Sequence, residues 1–150
     1  MAKQDIRVKD GHRWSARPYD VKAAATAINA GEWVIKDGSN ASYVTVAADG
    51  ASTSGSVHIG VAVSNSTATA TADGVVYVVD AVDALFVAAP KSAATLLQAI
   101  KNTKCVLDVT SGVFTMDVAV TTNGCFLIED FNVARNEVYF RKVRSSDIAV

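Results

Sequence analysis

The chain has 150 residues, of which 50% are hydrophobic and 19% charged, with a net charge of −1. That length suits one domain with its own core, and so apolar a chain is not disordered. Near-neutral charge gives the whole molecule no drive toward nucleic acid or an anionic membrane, and no apolar window of about 18 residues could span a bilayer.

Residues 1–22 carry six basic and three acidic side chains, with Trp14, Pro18 and Tyr19 interleaved. No hydrophobic period is sustained there. The pattern predicts an extended N-terminal arm over 1–20, followed by a single β domain over 21–150. Arg7, Lys9, Arg13, Trp14, Arg17 and Tyr19 are the arm's candidate contact residues, since Trp, Tyr and Arg are favoured interface anchors. The opening Met-Ala-Lys-Gln-Asp lacks the apolar run of a signal peptide, an expectation of synthesis into the cytoplasm. Asp20 to Ala30 predicts a short alanine-rich helix stopped by Gly31.

Turn signals then recur at Asp37-Gly38, Asp49-Gly50, Asp73-Gly74, Ser111-Gly112 and Asn123-Gly124. Between them lie runs rich in Val, Thr, Ile, Tyr and Phe, as in hairpins. The small polar run 51–56 reads as a surface loop. Val57, Ile59, Val61 and Val63 alternate with His58, Gly60 and Ala62, a half-buried strand that leaves His58 on the solvent side. Thr67 to Ala72 also alternates, and Val75 to Val79 is a continuous apolar run suited to a central strand. Pro90, a Ser92 cap, and Leu96, Leu97 and Ile100 on one face predict a helix over about 92–102, closing one end of a barrel. Cys105–Val109 with Val113–Val120, and Cys125–Ile128 with Val138–Val143, predict two further hairpins. The fold class is mainly β, a small barrel or sandwich of short antiparallel strands.

Chemistry-bearing motifs are sparse. His12 and His58 are the two histidines and have no partner at metal-ligand spacing. No glycine-rich phosphate loop is present, and the run from Gly50 to Ser54 lacks the second glycine of a nucleophile elbow. Asp80 with Asp83, and Glu129 with Asp130, flank apolar runs as acids at strand ends do. Cys105 and Cys125 lack redox spacing and read as reduced core thiols. Tyr139 to Arg144 mixes aromatic and basic residues on both strand faces, so it reads as a charged edge strand rather than a single-strand nucleic-acid platform. No cofactor, metal or catalytic residue is expected, and the chain reads as a non-enzyme.

Three segments, Ala30-Gly31-Glu32-Trp33-Val34, His58-Ile59-Gly60-Val61-Ala62 and Ala72-Asp73-Gly74-Val75-Val76, carry a resemblance. So do the helix at Ala93 to Ile100, the strand at Cys105 to Val109, Asp117 before Asn123-Gly124, and Glu137 to Val143. Over roughly residues 28–144 the layout resembles the decoration, or cement, proteins of tailed-phage capsids. The resemblance implies a structural protein on the outside of the expanded shell, made in the bacterial host cytoplasm. Its partner would be the major capsid protein, with itself as a second partner in a dimer or trimer, and without nucleic acid or membrane. The alternatives are another phage or host β module, such as a tail component or glycan binder, and an OB-like nucleic-acid binder. Trp33 and Tyr43, beside predicted strands, read as core rather than as a glycan platform.

Overall fold

The computed structural model describes residues 6–10, 14–47, 57–92, 96–121 and 124–143. His12, Arg13, the turn at Asp49-Gly50, the 51–56 loop, Ala93 and Asn123 lie outside the described residues. Short β-branched and aromatic runs, cut by turn residues, form the strands β1 (Arg7–Val8), β2 (Arg17–Val21), β3 (Trp33–Lys36), β4 (Val44–Val46), β5 (His58–Ala62) and β6 (Gly74–Val79). They continue as β7 (Phe86–Ala88), β8 (Lys104–Thr110), β9 (Val113–Asp117), β10 (Phe126–Asn132) and β11 (Glu137–Lys142). The protein is mainly β, as its turn spacing predicts.

Two antiparallel sheets result. One has the order β2-β6-β5-β3-β4, the other β1-β7-β11-β10-β8-β9. The second curls, because Met116 N–H donates to Ala89 O (2.9 Å) and Lys91 N–H to Met116 O (2.8 Å), which returns β9 to the chain leaving β7. At that seam the Lys91 ammonium lies 3.0 Å from Asp108 and 3.3 Å from Asp117.

Alternation along β3 divides the interior. Trp33 and Ile35 join Phe86, Phe114, Phe126 and Phe140 in the large core between the sheets. Val34 faces the other way, into a smaller core with Val21, Ile28, Val44, Ile59 and Val76. The middle strands β3 and β5 are therefore buried on both faces, which is why β5 is apolar at nearly every position.

Four expectations need correction. The N-terminal segment is not an arm over its described residues: β1 pairs with β7 and β2 with β6. Ile6, 2% exposed, belongs to the large core. A two-residue strand is too short to show a period, and one buried side chain is enough to hold it. Residues 22–32 form turns rather than a helix, with Ala24 (φ 62°) and Gly31 (φ 91°) left-handed. The predicted helix over 92–102 is a single 3-10 turn at Gln98–Ile100 among the described residues. Thr67–Ala72 is a loop, in which the Thr67 hydroxyl accepts the Val75 N–H (2.9 Å).

One irregularity re-aims the five-stranded sheet. Val34 lies opposite Gly60 but Ile35 lies opposite His58, so Ile59 is an inserted bulge residue. Beyond the bulge the facing of β5 is reversed: Ile59 faces the small core, while Val61 and the His58 ring face the large one. Glycine is required at position 60, because a Cβ there would sit 2.0 Å from the carbonyl oxygen of Val79. Gly60→Ala should therefore lower stability by at least about 2 kcal/mol. Gly38→Ala, which meets nothing within 4 Å, should change it by less than about 0.5 kcal/mol. Equal denaturation midpoints for the two would refute the close approach. Ile6→Ala should likewise cost about 2–4 kcal/mol in chemical denaturation; an unaltered midpoint would restore a free arm.

Candidate functional site

Arg7, Lys9, Arg17 and Tyr19 already have partners within the chain. Arg7 on β1 forms an ion pair with Glu137 on β11. The Lys9 ammonium lies 4.7 Å from the centre of the Tyr139 ring. Arg17 on β2 pairs with Asp80 (2.9 Å) and donates to the Tyr19 hydroxyl (3.0 Å), and that hydroxyl donates to Asp80. Partial burial, reinforced by the Asp80 carboxylate, pushes the Tyr19 hydroxyl above the ordinary tyrosine range. The basic side chains thus tie the N-terminal strands to the body.

Trp14 behaves differently. It packs partly against the large core and lines an open cleft of about 460 Å³ with Ile6, Val8, Ala16, Val61 and Val63. Val63 is 48% exposed and Tyr77 46%, and the Val63 N–H donates to Tyr77 O (2.9 Å), so the two residues are neighbours across β5 and β6. Apolar surface therefore continues from the cleft onto the sheet. A second cleft, about 530 Å³, lies beside β4 and the β8–β9 turn. Its buried Glu32 carboxylate accepts the Asn29 N–H (2.9 Å) and so braces its own turn.

The acidic pairs serve the fold. Asp80 holds Arg17 and Tyr19, Glu129 holds Arg141, and Asp130 holds Lys101 (2.9 Å). The Lys101 ammonium and the Phe131 N–H keep the Asp130 carboxyl below the usual range. Among the described residues no group of three or more His, Cys, Asp or Glu side chains could hold a metal. Both cysteines are free thiols, and burial pushes the Cys105 thiol up.

Two expectations fail between the sheets. His58 is not solvated: its Nδ1 accepts the Trp33 indole N–H (3.0 Å), and its ring meets Phe126 edge-on at 5.0 Å. Its Nε2 is buried without a hydrogen-bond partner among the described residues. Burial, with help from the Lys142 ammonium, lowers the imidazole pKa to about 4. Nor is β11 an edge strand, since it lies between β7 and β10 with Arg141 buried. From β11 Lys142 crosses to the other sheet and donates to Ile59 O (2.8 Å) and Asp80 O (2.6 Å). Simple alternation hides His58 because the bulge changes its face. Lys142 is hidden because a lysine in a basic run reads as solvated.

Comparison with family models, curated proteins and solved structures finds no match to the chain. Lys142→Met should keep the aliphatic packing but strand two carbonyls, one of them at the bulge. It should lower stability by about 1–3 kcal/mol, measured as a denaturation midpoint. No loss would mean that water replaces the ammonium there.

Proposed function

We propose that the chain is a non-enzymatic structural protein that binds the outside of a phage capsid and stabilises the shell of major capsid protein. The capsid-decoration layout of its segments supports this reading, and the Trp14 cleft carries it on the structural side. Within that apolar surface Tyr77 stands on β6, while Trp14 lies just before β2 and Val63 just after β5. A rigid aromatic anchor of this kind loses little conformational entropy when a partner covers it. Arg7 and Arg17 are engaged in the protein's own ion pairs and Lys9 lies over the Tyr139 ring, which favours the cleft over a grasping arm as the contact surface. Many copies on a continuous shell would sum modest contacts into a large stabilisation. The protein would work on the virion exterior after synthesis in the host cytoplasm, alone or as a dimer or trimer. A glycan-binding module is the second reading, favoured by the exposed Tyr77 next to Val63, which lines the Trp14 cleft.

Shells of the cognate major capsid protein, mixed with the purified chain, test the proposal by co-sedimentation and electron microscopy. The chain should bind and raise the temperature at which the shells fail. Combined Trp14→Ala and Tyr77→Ala should weaken binding by roughly 30-fold or more, a change of about 2 kcal/mol. Failure of the unaltered chain to bind would overturn the capsid reading; glycan binding lost in the same double variant would establish the second.

A further inference from the structure

We propose that His58 is a proton-operated latch between the two sheets: a proton gained at Nδ1 breaks its bond to Trp33 and loosens the sheet-to-sheet contact, while each sheet keeps its own strand pairing. The geometry assigns the ring a single workable protonation state. Nδ1 accepts the Trp33 indole N–H, so the imidazole proton resides on Nε2. A second proton would have to enter at Nδ1, turning the acceptor into a donor that faces another donor at 3.0 Å. Among the described residues packed on the ring, none would supply the cation with a counter-charge. From β11 the ring feels the Lys142 ammonium. Trp33 and Ile35 on β3 and Phe126 on β10 bring no charge, and the Cys105 thiol opposite Phe126 on β8 stays neutral. The Asp80 carboxylate is engaged with Arg17 and Tyr19, and its backbone carbonyl is taken by Lys142.

The latch lies where the sheets depend on one another. Trp33 is fully buried, with Phe86 at 5.0 Å and Phe126 at 5.1 Å, both edge-on, so losing its N–H partner disturbs the centre of the large core. The bond at stake lies within the five-stranded sheet, but both rings that it fixes also pack on Phe126 of the other sheet, whereas strand pairing within each sheet does not pass through the His58 ring. The Nε2–H, without a hydrogen-bond partner among the described residues, adds a standing penalty at this point of the interface.

The sign follows from the ring's two environments. An unfolded histidine takes up its proton near pH 6.5, and the folded one only near 4. The latch's contribution is therefore complete above about pH 6.5 and is lost as pH falls toward 4. That gap corresponds to a change of roughly 300-fold in the folding equilibrium.

The test uses the full chain with Trp14→Phe, which leaves Trp33 as the only tryptophan. Unfolding midpoints and Trp33 emission are followed from pH 7.5 to 4, beside the same chain carrying His58→Gln. Below pH 5 the parent's Trp33 emission should change before the far-ultraviolet circular dichroism of its strands. Its folding equilibrium should fall roughly 150-fold more than that of the Gln variant by pH 4, where the folded ring is itself half protonated. Equal pH dependence in both would overturn the latch and assign the acid sensitivity to carboxylates. Should the Gln variant not fold, ring nitrogen resonances of the unaltered chain decide. A neutral Nε2–H tautomer persisting to about pH 5 supports the proposal; protonation of His58 near 6.5 overturns it.

Discussion

The indole of Trp33 has to be covered from every side, and covering it fixes how the two sheets meet. Its own sheet supplies backbone and the His58 acceptor, but not enough apolar surface for so large a ring. Phe86, Phe126 and Phe140 complete the enclosure from β7, β10 and β11 of the other sheet. Edge-to-face contacts of this kind add directional preference to area burial, so the indole sets orientation as well as adhesion. The remaining large-core contacts, aliphatic and mostly small, follow the separation those rings impose.

Polar groups near this centre are placed with equal economy. The Ile59 bulge turns His58 inward and leaves a carbonyl at an irregular point of the ladder, and Lys142 arrives from the opposite sheet to bond it. A buried ammonium is costly without acceptors, and here it receives two backbone carbonyls. The bulge, the lysine and the histidine thus form one unit in which each member explains another. Glycine at position 60 belongs to the same unit, since the next strand passes too close for any side chain.

The parts that were legible in the sequence are those written in local pattern. β8 with β9, and β10 with β11, join strands through short turns, and their apolar runs mark them well. β6 announces itself as an unbroken apolar run, buried at Val76, Val78 and Val79. What stayed hidden depends on partners far along the chain. Nothing in Arg7-Val8 says that Phe86 and Val87 will pair with it, and Pro18 with charged neighbours masks a strand bonded on one edge. Arg7 and Arg17 were visible as cations but not as members of ion pairs, because Glu137 and Asp80 lie more than sixty positions away. Trp14, an interface candidate in the sequence, lies partly against the large core and lines an open cleft.

The pairing of β1 with β7, and of β2 with β6, also orders events in time. As the chain leaves the ribosome, its first strands emerge without partners and stay so until most of the protein has been made. Contacts of such long sequence separation slow folding, because a large loop must close before any contact rewards it. The hairpins of the C-terminal half can form as soon as they appear, yet Trp33 remains uncovered until β10 and β11 are complete. For much of synthesis the nascent chain therefore carries an exposed indole and open strand edges, the features that invite association between unfinished copies.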